Sequence, residues 1–193
     1  MKRRTFVLAS AAALTIPVIG CEKTKPVDSP DVGPAKPTLP PYKYEFFTPG
    51  EVVTLEALLA RLFPEDDPSG APSWRDANVG PYIDAQMMLP DFRGQQRMMH
   101  GGMEFLQAVS TRRFGGTFDS RPPDVQDQLI TQFQTGQVKG LKFPQARWFV
   151  TFHAFALEGY WGDPKYGGNR DEKVWAWANI NPHCAHIHLS CGN

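Results

Sequence analysis

The chain has 193 residues, 20 basic and 20 acidic side chains, 41% apolar and 12% aromatic residues. Its neutral balance excludes the strongly basic footprint of a nucleic-acid-binding domain, so no nucleic acid is expected as a partner. The length suits one domain with a sizeable core.

The N-terminus carries Lys2, Arg3 and Arg4 ahead of a mildly apolar run from Phe6 to Ile19. Positive charge followed by a short apolar run is the layout of a secretory signal peptide. A membrane-spanning helix needs about 20 apolar residues, so this run is too short to stay as an anchor. It ends Val18-Ile19-Gly20-Cys21, which resembles the bacterial lipobox. Residues 1–20 are therefore read as the signal and Cys21 as the lipidated first residue of an exported protein, anchored to a bacterial membrane and facing the periplasm or the cell exterior. Arg3-Arg4-Thr5-Phe6-Val7 also resembles the twin-arginine export signal, whose route carries folded proteins. Without residues 1–20 the balance is 17 basic against 20 acidic, because Lys2, Arg3 and Arg4 are lost.

Residues 22–41 hold six prolines among polar groups. Such a segment cannot bury enough apolar surface to fold and is expected as an extended tether, so 21–41 reads as a lipidated linker. The domain is expected over 42–182, with a distinct tail over 183–193.

Within the domain, Thr48-Pro49-Gly50-Glu51 has the capping-box arrangement, with Val52, Leu55, Leu59 and Leu62 following on one face and Pro64 ending the helix. The acidic turn Glu65-Asp66-Asp67 reads as solvated. A second helix is predicted from Ala77 to Leu89, with Val79, Ile83 and Met87 on one face. A third runs from Asp91 to about Phe114 with a stripe of Met98, Gly102, Phe105 and Val109; the Gly101-Gly102 pair marks close packing or a kink. Pro122-Pro123 opens a fourth helix with Val125, Leu129 and Phe133 inward, ending near Gly136. A fifth, strongly aromatic helix spans Phe143 to Tyr160. No segment alternates long enough for a strand. The fold is expected to be mainly α, one compact domain of five to six helices.

The fifth helix runs into Glu158-Gly159-Tyr160-Trp161-Gly162-Asp163-Pro164-Lys165-Tyr166-Gly167-Gly168-Asn169, with Trp175 close behind. Asp163-Pro164 initiates a turn, and Gly167-Gly168-Asn169 permits left-handed backbone before a final short helix. Glu158-Gly159-Tyr160, Asp163-Pro164 and Tyr166-Gly167-Gly168-Asn169 resemble the signature of the gluconate 2-dehydrogenase subunit 3 family. Gly80-Pro81-Tyr82-Ile83-Asp84 and the Leu59 to Asp67 stretch extend the resemblance over roughly residues 46–180. It implies a non-catalytic small subunit whose partner is a large FAD-dependent oxidoreductase of the glucose-methanol-choline (GMC) class, with a c-type cytochrome as a further subunit in many complexes. The small subunit would support maturation and twin-arginine export of the flavoprotein, and the aromatic motif would contribute to the partner interface.

No dinucleotide fingerprint, phosphate loop, Cys-x-x-Cys-His haem site or nucleophile elbow occurs in the chain, so no cofactor is expected in it. His100 and His153 read as packing or surface residues. The tail His183-Cys184-Ala185-His186-Ile187-His188-Leu189-Ser190-Cys191 is open to three readings: a Cys184–Cys191 disulfide, a metal site drawn from His183, Cys184, His186, His188 and Cys191, or a free tail. The metal reading supports an alternative function, a self-contained periplasmic metal-binding protein or metalloenzyme.

Overall fold

The computed structural model describes residues 42–138 and 142–181, and every structural statement below concerns those residues. They form six α-helices joined by loops and four short 3-10 turns, with no strand. Helix α1 is Pro49–Leu62, α2 Val79–Met87, α3 Arg93–Phe114, α4 Pro123–Gln134, α5 Gln145–Trp161 and α6 Lys173–Trp177. The mainly α expectation holds.

Local chemistry sets most helix ends. Thr48 caps α1: its Oγ accepts from Glu51 N at 3.4 Å, and the Glu51 carboxylate accepts from Thr48 N at 2.9 Å. Pro49 occupies the first turn, where no intrahelical donor is needed. Asn78 takes a left-handed conformation (φ 63°), which starts α2 at Val79 rather than at Ala77. Gly115 (φ 73°) ends α3, and its N–H reaches Thr111 O at 3.0 Å. Arg112 and Arg113 lie in that last turn, where cations complement the helix dipole. Pro144 precedes α5, so that helix starts at Gln145, two residues later than its apolar run suggests.

Helix α5 is the centre of the packing and touches α2, α3 and α4. Trp148 and Phe152 are fully buried on it and stack at 5.7 Å between ring centroids. Phe133 of α4 meets Trp148 edge-on at 5.5 Å. Burying side chains of this size contributes about 1.5–3 kcal/mol each. Trp148 lies directly against Gly102 of α3: a Cβ there would stand 1.9 Å from the indole Nε1. Gly102 is thus a packing glycine, and α3 continues through it as one helix.

The buried face of α3 is broader than a single stripe. Met99, Met103 and Leu106 are buried with Gly102 and Val109, while Met98 and Phe105 are partly buried against the core. The helix packs against α1, α2 and α5, and no one stripe serves all these neighbours. Likewise α1 buries Leu58 with Leu55 and Leu59, leaving Val52 and Leu62 at the core margin. Arg61 fastens α1 to α4 through two bonds to Asp127, at 2.8 and 2.9 Å.

Gly102→Ala is expected to lower the unfolding free energy by about 2 kcal/mol or more, because Trp148 has no room to retreat in a packed core. Gly94, at the exposed start of the same helix, has nothing within 4 Å of a built Cβ. Gly94→Ala is expected to stabilise by up to about 1 kcal/mol. Urea unfolding of the two variants beside the parent measures both signs.

Candidate functional site

The glycine-rich motif at the end of α5 divides into a buried set and an exposed set. Gly162 ends the helix in extended backbone, its N–H bonded to Glu158 O at 2.8 Å. Asp163 opens the following 3-10 turn by accepting from Lys165 N at 3.0 Å, and Lys165 Nζ returns to its carboxylate at 2.8 Å. Gly167 has φ +95°, a conformation that side chains rarely adopt. Gly168 serves a different need from the one its composition suggested. A Cβ on it would lie 2.3 Å from Gly159 O and 2.7 Å from Gly159 Cα, so the two backbones are in contact. Gly159 in turn has no room for a side chain, because Tyr82 Cδ1 would stand 2.7 Å from its Cβ.

Asn169 closes the arrangement. It is fully buried with φ 37°, in the left-handed region that Asn tolerates better than most residues. Its N–H donates to Gly159 O at 2.7 Å, its Nδ2 donates to Gly162 O at 3.2 Å, and its Oδ1 accepts from Val174 N at 3.0 Å. One side chain therefore ties the end of α5, the turn and the start of α6 together. Asn78 reaches the same turn from the start of α2: its Nδ2 donates to Gly167 O at 2.7 Å, and its Oδ1 accepts from the Arg170 guanidinium.

The aromatic members are fixed by their polar ends. Tyr160 stacks on Phe63 at 4.2 Å and donates to Pro72 O at 2.7 Å. Burial, with Asp67 and Asp76 adding to it, raises the Tyr160 pKa. Trp175 is buried and its Nε1 donates to Trp161 O at 2.8 Å. Tyr82 donates to Glu158 Oε2 at 3.4 Å, and its pKa is pushed up to about 12 by burial and the adjacent Glu158 charge. The ordinary tyrosine value of about 10 is already above neutrality, so these phenols stay protonated donors. Trp161, Tyr166 and Trp177 remain exposed. The motif residues are thus brought together as an internal clamp, and only part of the segment faces solvent.

Two polar constructions escape sequence reasoning. Asp84, fully buried on α2, accepts from the backbone N–H groups of Glu45, Phe46 and Phe47 at 2.9, 3.0 and 3.1 Å and from Tyr42 Oη at 3.2 Å. It anchors the first residues of the domain to α2. The Gly80-Pro81-Tyr82-Ile83-Asp84 run marks this carboxylate in the sequence, but its partners lie about 40 residues upstream. The second is Glu51, whose cap also meets His100 Nδ1 at 2.7 Å while that ring stacks on Phe46 at 4.2 Å. Glu51 and His100 line a cavity of about 680 Å³ between α1 and α3, walled also by Thr54, Gln107 and Asp119. Burial opposes ionisation of Glu51, but bonds from Thr48 and His100 outweigh it and hold the carboxyl below its ordinary range. Among the described residues no group of three or more His, Cys, Asp or Glu side chains is arranged to hold a metal. The tail residues His183, Cys184, His186, His188 and Cys191 lie outside the described residues, as do Arg3, Arg4 and Cys21.

The family model of gluconate 2-dehydrogenase subunit 3 matches residues 49–182, and the chain belongs to that family. The match begins in α1 and runs through the clamp, so the region that binds itself together is the region the family shares. Kinship places the chain among subunits of a multi-subunit gluconate dehydrogenase type of complex. No curated protein and no solved structure gave a match.

Gly168→Ala is expected to cost more than about 3 kcal/mol, since its new methyl meets backbone rather than a mobile side chain. Gly167→Ala, where nothing crowds the Cβ, is expected to cost only the left-handed penalty of about 1–2 kcal/mol. Thermal unfolding of the two variants resolves that order. For Glu51, a depressed folded-state pKa means stabilisation present above the ordinary glutamate value of about 4.3 and lost as pH falls through the lower folded value. Glu51→Gln should therefore be less stable at pH 7 and show a flatter decline below pH about 4.3, read from urea midpoints across that range.

Proposed function

We propose that this chain is the non-catalytic accessory subunit of a membrane-associated, FAD-dependent GMC-type sugar or alcohol dehydrogenase. In this role it assists maturation of the flavoprotein, carries it through the twin-arginine route on the strength of Arg3 and Arg4, and holds it at the membrane through lipid on Cys21. The observation that carries the reading is the family match over residues 49–182. The geometry supports it: the family motif is consumed in holding its own helices together, which suits a scaffold. FAD belongs to the large partner in this reading, and c-type haem to a cytochrome subunit.

The N-terminal features give the division of labour a physical basis. A cofactor inserted in the cytoplasm requires export of a folded protein, and one signal on the small subunit serves both chains if they bind before export. Read from its six prolines as an extended tether, the segment 22–41 would reach roughly 60 Å at about 3.1 Å per residue. A complex held at that distance stays near the membrane without being embedded in it.

Detergent extraction of native membranes followed by purification through this chain tests the proposal. A large flavoprotein with bound FAD is expected in a one-to-one ratio. Arg3→Lys with Arg4→Lys should leave that flavoprotein in the cytoplasm, and Cys21→Ser should release the complex from the membrane fraction. Recovery of this chain alone, carrying a metal ion and turning over a substrate by itself, would contradict the reading.

A further inference from the structure

Helix α5 is apolar on more than its buried face. Trp148, Phe149, Phe152, Phe155, Ala156 and Tyr160 fill the core, yet Val150, Ala154, Leu157 and Trp161 all lie exposed on the other side. Their spacing is i, i+4, i+7 and i+11, one continuous stripe along the helix. Val150 is 63% exposed, more than any other large apolar side chain on the helix. Trp177 of α6 extends the stripe, its ring centroid 6.3 Å from that of Trp161. A helix that is apolar all round belongs in an interior, whereas a helix on a solvated surface carries polar groups on its outer face. Exposed Arg147 and Glu158 border the stripe on one side, while the stripe from Val150 to Trp161 is apolar throughout, the layout of an interface centre with a polar rim.

The rim carries both signs of charge. Arg147 lies one turn before Val150 on the same side of α5 and is exposed. At the other end the acidic turn approaches: Trp177 Nε1 donates to Ser69 O at 3.2 Å, and Ser69 N donates to Asp67 Oδ1 at 2.8 Å. Asp66 and Asp67 form no ion pair with a cationic side chain among the described residues. Carboxylates at this position disfavour an anionic lipid surface, and opposite charges at the two ends give a protein partner a defined direction. The stripe lies wholly inside the span that the family shares, while residues 183–193 lie beyond it.

We propose that the outer stripe of α5, Val150, Ala154, Leu157 and Trp161 with Trp177, is the docking face for the large dehydrogenase subunit. The inference rests on the accessory-subunit reading and adds where that partner binds and with what chemistry. The complementary surface is apolar at its centre, acidic opposite Arg147 and basic opposite Asp66 and Asp67. The buried clamp residues Gly159, Gly168 and Asn169 hold α6 in register so that Trp177 continues the stripe.

The test uses the full chain co-expressed with the flavoprotein that co-purifies with it. Val150→Glu combined with Leu157→Glu changes two exposed side chains and should leave the melting temperature of the chain unchanged. At least a tenfold loss of flavoprotein recovered per chain is expected, as hydrophobic anchors at interface centres dominate binding. A photo-cross-linking residue at Ala154 should form an adduct with the flavoprotein, and one at Val53 on α1 should not, which holds even if the double variant is poorly folded. Normal recovery in the double variant, with cross-linking from Val53 and none from Ala154, would overturn the docking face while leaving the accessory-subunit reading intact. Failure of the parent chain to bring down any flavoprotein would overturn both. Cross-linking from Ala154 only to a second copy of the chain, or to lipid in phosphatidylglycerol-containing vesicles, would also overturn the assignment.

Discussion

Gly168 and Gly159 meet backbone to backbone, and this contact decides how the last third of the domain is built. Because neither residue has a side chain, the segment after α5 can double back onto the helix it has just left. Asn169 N–H then bonds Gly159 O at 2.7 Å, and the Asn169 side chain satisfies both the end of α5 and the start of α6. Filling that space with a single methyl would force the turn outward. Asn78 at the head of α2 would lose Gly167 O, and the Val174 amide would lose Asn169 Oδ1. The clamp therefore couples three helices. Of its side-chain bonds, the one from Val174 N to Asn169 Oδ1 is buried and is the most expensive to leave unmade, while the one from Asn78 to Gly167 O lies at the surface.

This constraint separates the two jobs of the motif. Gly159, Tyr160, Gly168 and Asn169 look inward and define a shape, while Glu158, Tyr166 and Trp161 stay at the surface beside less distinctive neighbours such as Leu157 and Trp177. A short aromatic and glycine-rich sequence can thus identify a family of subunits without containing a reactive group. The Glu51–His100 pair has the composition of an acid–base couple, but its carboxylate is committed to the cap of α1 through Thr48 N–H and Thr48 Oγ. Its geometry places it in the framework that joins α1 to α3 and to the domain's first residues.

Much of the fold was legible from the sequence because its signals are local. The Thr48-to-Glu51 capping box, the prolines at 49, 64 and 123, and the glycine at 136 mark helix ends that the structure keeps. Periodicity located all the longer helices but misjudged the width of the buried face of α3, since a helix with three packing neighbours has no single inner stripe. The role of Gly168 was legible only in part: composition pointed to left-handed backbone, which Gly167 and Asn169 adopt, whereas Gly168 is required by close approach. Asp84, His100 and the outer stripe of α5 depend on partners distant in sequence or on which face is left uncovered. Such relations exist only after the helices have packed.

Amide hydrogen exchange at Asn169 and Val174 in the isolated chain tests the central claim, that the motif is an internal clamp formed without the partner. Both amides donate to buried acceptors, so exchange is predicted to be slow and governed by global unfolding. Fast exchange at these two amides, slowing only when the flavoprotein is bound, would mean that the clamp is assembled by the interface and would contradict the account.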